Sequence, residues 1–82
     1  MTTKKPVVLQ NIMRGHPYRV RVPHKHADRL HVYLDEIRYP HRMRILEAGV
    51  DFYFPTNHDL IEVLNGCFDG SGFRPEITEV SQ

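Results

Sequence analysis

One cysteine and no tryptophan in 82 residues set the first limits on this chain. A lone thiol, Cys67, excludes an internal disulfide framework and any zinc site built from several thiolates of one chain, so the fold has to be held by packing. No uninterrupted apolar run approaches the roughly 18 to 20 residues that a bilayer span needs. The N-terminal residues also lack the charged-then-apolar plan of a secretory signal. A cytoplasmic protein with no membrane association is the expectation. No serine sits in a nucleophile turn, and Gly70-Ser71-Gly72 lacks the lysine and following helix of a phosphate loop. A single domain of this length hides only about 60 to 65 per cent of the surface of its unfolded chain. That leaves no interior for an enclosed cofactor, and none is expected; flat or shallow surfaces are the expected working parts.

Charge is plentiful, and it is divided. Residues 1 to 46 carry ten basic side chains against Asp28, Asp35 and Glu36, whereas residues 47 to 82 carry seven acidic ones against Arg74, and the chain as a whole is left at +1. Such a division fits an electrostatic partner, and it fits equally two halves that satisfy each other on folding.

Residues 1–14 read as an N-terminal tail or a short extra strand, with Val7 to Met13 apolar enough for a strand or a strap over the core. Residues 15–82 form the single domain. Tyr18-Arg19-Val20-Arg21-Val22 alternates strictly, which predicts a strand with both arginines on one side. After Pro23, Ala27, Leu30, Leu34 and Ile37 recur at helical spacing and predict a helix over roughly His24 to Arg38, stopping ahead of Pro40. Arg42 to Phe54 reads as a hairpin turning at Ala48-Gly49. Thr56-Asn57-His58-Asp59 has the spacing of a capping box, and Leu60, Ile61, Leu64, Cys67 and Phe68 mark the buried side of a second helix. Residues 69–72 form a flexible joint, and within 73–80 Pro75 confines any strand to a sheet edge.

The resulting order, β-α-β-β-α-(β), predicts an α+β domain with two helices on one face of an antiparallel sheet. On element order alone, over residues 18 to 80, it resembles the ferredoxin-like plaits. That fold hosts RNA-recognition motif domains, whose third-strand signature would fall on Ala48 to Phe54. Here Ala48 replaces the basic first residue, and Val50 and Phe52, at the base-stacking positions, belong to the buried set. Membership is therefore not assigned.

With the helices on Tyr18, Val20, Val22, Met43, Ile45, Val50, Phe52 and Phe54, the other sheet face is expected to display Arg19, Arg21, Arg42, Arg44, Leu46, Asp51 and Tyr53. Asp51 is placed to pair across strands with an arginine. The expected role is a small non-enzymatic interaction or regulatory module, self-associating as a homodimer. It would dock an acidic protein surface on Arg19, Arg21, Arg42, Arg44 and Tyr53. The alternative is RNA or single-stranded DNA held on the same face, phosphates by guanidinium groups and bases by Tyr53.

Other residues with chemical potential do not converge. His24 and His31 share a helical face and His26 points away, which gives two metal ligands at most, so no metal site is expected. Several imidazoles of the basic half would add positive charge below about pH 6.5. Cys67 and His58 are separated by about 180° on the second helix and cannot act as nucleophile and base, so no catalytic residue is assigned. Tyr33 is read as the edge of the core or as an aromatic anchor for a partner.

Overall fold

The computed structural model describes residues 14–80, so the expectation for residues 1–13 lies outside the described residues. Strand β1 spans Tyr18–Val22, helix α1 His24–Glu36, β2 Arg42–Ile45, β3 Val50–Phe54, helix α2 Leu60–Phe68 and β4 Ile77–Glu79. The sheet order is β2-β3-β1-β4 with every pairing antiparallel. This is the expected α+β plait of ferredoxin-like order. Strands β1 and β3 lie in the middle, and both helices cover one face. Val20, Val22, Val50, Phe52 and Phe54 meet Ala27, Leu30, Leu34, Leu60, Leu64, Cys67 and Phe68 in a single core. Side chains at alternate strand positions point to opposite faces, so burying this set turns Arg19, Arg21, Arg42 and Arg44 the other way.

Helix α1 ends at Glu36, two residues short of its expected limit, for a reason other than Pro40. Arg38 takes a left-handed φ of 57°. Its amide donates to Asp35 O at 3.1 Å, and the Tyr39 amide donates to Leu34 O at 2.9 Å. This is the Schellman pairing that satisfies the last carbonyls of a helix, built here on arginine where glycine is usual. The reversal brings residues 39–41 back along the end of α1.

Helix α2 starts differently from the expected capping box. The Thr56 hydroxyl accepts from the His58 amide at 3.2 Å, only two residues on, and Asp59 at the N-cap makes no side-chain cap bond. The Asp59 carboxylate accepts a hydrogen bond from the Tyr39 hydroxyl at 2.8 Å instead, tying the α1–β2 connection to the start of α2. At the other end, Arg29 of α1 donates from Nε to Cys67 O at 2.7 Å and from Nη2 to Asp69 O at 3.3 Å. A cation therefore faces the carbonyl end of α2, where the helix dipole is negative.

The hairpin turn closes with Leu46 N donating to Gly49 O at 2.7 Å. A Cβ on Gly49 would lie 2.5 Å from the Val22 carbonyl oxygen, so the turn can pack against the end of β1 only without a side chain. Residues 69–72 form a turn in which Ser71 Oγ donates to Phe68 O and accepts from the Phe73 amide. Of the expected edge segment over 73–80, only Ile77–Glu79 pairs as a strand, and Val80 N donates to Pro17 O at 2.7 Å. No helix among the described residues is long and apolar enough to cross a membrane.

Candidate functional site

The register aligns the outward residues in two rows. Arg42, Tyr53, Arg19 and Thr78 lie directly opposite one another across β2, β3, β1 and β4. Arg44, Asp51 and Arg21 form the second row across β2, β3 and β1. Directly opposed positions on one face are close enough for side-chain contact. The structure thus brings all five sequence-derived site residues together on one face, with Asp51 among them.

The second row is tied at its centre. Arg21 donates from Nε to Asp51 Oδ1 at 2.7 Å and from Nη2 to Asp51 Oδ2 at 3.0 Å, a forked pair. The Asp51 side chain is 1% exposed, while that of Arg21 is 60% exposed. The hydrogen bond to Asp51, with its charge, raises the Arg21 pKa above the ordinary arginine value. Arg21 is therefore committed to holding a buried carboxylate, although its outer surface still meets solvent. Arg19 and Arg44 are half-buried and Arg42 is exposed. Counting Asp51 against the four arginines, the face keeps an excess of three positive charges.

One expectation is corrected here. Tyr53, read from the alternation as the exposed ring of this face, is 2% exposed. Strand β3 is an interior strand, and Tyr53 has a long arginine directly opposite on each side, Arg19 and Arg42. The stems of such side chains cover a neighbouring ring while their charged ends stay in solvent. The tyrosine belongs to the platform beneath the arginines.

The remaining candidates fall elsewhere. Cys67 is buried, and burial raises its thiol pKa above the ordinary value, so it has no nucleophile's character. His58 is exposed at the opposite end of α2. His24 and His31 do not converge, because His24 Nε2 lies 2.7 Å from Leu46 O and 3.1 Å from Glu47 O, joining the start of α1 to the hairpin loop. His26 stacks on Phe73, with ring centroids 4.6 Å apart. Tyr33 packs at the edge of the core, with its hydroxyl close to Gly66 of α2. A hollow of about 580 Å³ lies between α2 and the following loop, bordered by Ile61, Asn65, Phe68, Phe73 and Pro75.

A second cluster was missed by sequence reasoning. His31, Asp35 and His41 each offer one ligand atom, all within 4.8 Å of one another. His31 and Asp35 stand four apart on α1, a spacing visible in the sequence. His41 joins them through the left-handed turn at Arg38, which no local pattern announces. His41 packs near the core ring Phe52, so this cluster lies on the helix side of the sheet, away from the arginine rows.

No protein-family model, curated protein or solved structure matches this chain.

Proposed function

We propose that the chain is a small non-enzymatic interaction module whose open sheet face docks an acidic protein surface. The observation that carries the proposal is the pair of rows, Arg42–Tyr53–Arg19 and Arg44–Asp51–Arg21, with its excess of three positive charges on a hydrogen-bonded sheet. Guanidinium groups match carboxylates through forked, charge-assisted bonds, as Arg21 does within the chain. Binding RNA or single-stranded DNA through this face is the weaker reading, because sequence-tolerant binding of single strands relies on rings that stack on bases, and Tyr53 is 2% exposed.

The test is a titration of isotope-labelled protein with a glutamate-rich peptide, followed by amide resonances. Shifts confined to β1, β2 and β3, weakened by salt and lost in Arg19→Ala/Arg44→Ala, are the expected result. Shifts centred on α2, or no response at low ionic strength, overturn the proposal. Tighter, salt-dependent binding of a mixed-sequence oligonucleotide to the same strands would put nucleic acid in place of the acidic protein. Light scattering determines whether a second copy is the occupant: a mass that falls to the monomer in the double variant assigns the face to self-association.

A further inference from the structure

We propose that His31, Asp35 and His41 form a binding site for a divalent ion of the zinc class, with two imidazoles and one carboxylate as ligands. The inference does not depend on the docking face, which lies on the other side of the sheet.

Two observations support the site. First, its geometry is close to that of a bound ion. His31 Nε2 lies 3.4 Å from Asp35 Oδ2, and His41 Nε2 lies 3.9 Å from Asp35 Oδ1. Ligands about 2.0 to 2.2 Å from a tetrahedral zinc are themselves roughly 3.3 to 3.6 Å apart, so small side-chain rotations suffice. Second, His41 is already set as a ligand. Its Nδ1 donates to the Tyr39 carbonyl at 2.7 Å, which fixes the proton on Nδ1 and leaves the Nε2 lone pair facing the cluster. A backbone carbonyl in this role is the usual outer-shell support of a metal-bound histidine. The Schellman turn that carries Tyr39 is thus part of the site's construction.

The donor set selects the ion. Two imidazoles with one carboxylate suit zinc, cobalt or nickel and poorly suit magnesium or calcium, which take oxygen ligands. Three protein ligands leave at least one position for water or for a group from a partner. The site has access to solvent, because Asp35 is 59% exposed while His41, at 12%, forms its inner wall. A bound ion would clamp the last turn of α1 to the segment that enters β2.

The experiment uses the full chain freed of metal with a chelator, zinc chloride as the probe, and calorimetry with thermal melting as the readouts. Binding of one equivalent and a rise in Tm are expected in the wild type. Asp35→Asn and His41→Gln should each weaken zinc by at least about tenfold. His26→Gln, which removes a histidine outside the cluster, should not. Cobalt chloride gives a readout that a merely structural role would not move: visible absorption of a four-coordinate ion in the wild type, lost in Asp35→Asn. Because Asp35 is exposed, its amide variant keeps the fold, and circular dichroism verifies this. No rise in Tm with zinc, or equal affinity in the wild type, Asp35→Asn and His41→Gln, overturns the proposal.

Discussion

At the scale of single residues, the forked pair between Arg21 and Asp51 is unequal, and the inequality predicts which partner is harder to replace. Asp51 is the buried member and Arg21 the largely exposed one. Arg21→Ala leaves a carboxylate without its counter-charge under the platform, whereas Asp51→Asn keeps one of the two acceptors and turns one amide donor towards a guanidinium that solvent can reach. Removing one partner of a fully buried pair costs about 3 to 5 kcal/mol, and the exposure of Arg21 brings the expected cost of Arg21→Ala down to about 2 kcal/mol. Asp51→Asn, which loses one of the two bonds, should cost about 1 kcal/mol. Urea denaturation of the two variants checks the order, and a reversed order would mean that the carboxylate does not depend on this partner. A second residue-scale prediction concerns pH. Burial, followed by the hydrogen bond to Asp59, raises the Tyr39 phenol from 10.0 to about 12. A folded pKa above the unfolded one means that the folded state holds the proton more tightly. The corresponding stability is therefore complete below pH 10 and lost as pH rises towards about 12. Alkaline absorbance titration should show a tyrosine with a midpoint of about 12 that disappears in Tyr39→Phe. Asp59→Asn should lower that midpoint only in part, because burial is the larger cause.

Among the elements, two glycines make close approaches of different kinds. A Cβ on Gly49 would meet the backbone oxygen of Val22 at 2.5 Å, and neither the hairpin turn nor the end of β1 can give way without disturbing the central pairing. Gly49→Ala should cost on the order of 2 kcal/mol, as overpacking of a rigid contact does. At Gly66 the obstacle at 2.7 Å is the Tyr33 hydroxyl, the far end of a side chain that can rotate aside. There the gain of up to about 1 kcal/mol from replacing glycine within a helix offsets the adjustment, and Gly66→Ala should be close to neutral in thermal melting. Strands β1 and β3 and the apolar stripe of α1 were legible because each is a local period, 2.0 or 3.6, written in consecutive residues. The end of α1 and the start of α2 were not, because each is settled by a partner distant in sequence. The Schellman turn needs arginine in a left-handed conformation, and Asp59 gives its carboxylate to Tyr39 in place of the cap. Tyr53 shows the same limit on the sheet: alternation assigned its face correctly, but its exposure depended on Arg19 and Arg42 arriving from two other strands. The His31–Asp35 pair was visible as spacing, and only the fold-back at Arg38 supplied His41.

For the whole molecule, the topology gathers part of the basic half's charge onto the open sheet face, while Lys25, Arg29 and Arg38 stay with α1 on the helix side. Strands β1 and β2, both from the basic half, flank β3 from the acidic half, and β3 contributes only Asp51 in charge to the open face. Of the rest of the acidic half, Glu47 sits in the β2–β3 turn, while Asp59, Glu62, Asp69, Glu76 and Glu79 lie exposed on α2, its flanking turns and the segment leading into the β4 edge. A protein with an isoelectric point of about 8.0 should therefore behave near that pH as a dipole, with its basic face still oriented towards an anionic surface. Two variants of equal net charge separate this from a uniform distribution. Arg19→Ala/Arg44→Ala removes two charges from the sheet face, and Lys25→Ala/Arg74→Ala removes two exposed charges from elsewhere. On a cation exchanger at pH 8 the first pair should elute at clearly lower salt than the wild type. The second should shift much less, because retention follows the local potential of the presented face and that potential decays within about 10 Å in 0.1 M salt. Equal shifts would mean that the matrix senses only the total charge. The arginine rows would then generate no field beyond their own contacts, and the electrostatic basis for docking an acidic surface there would be gone.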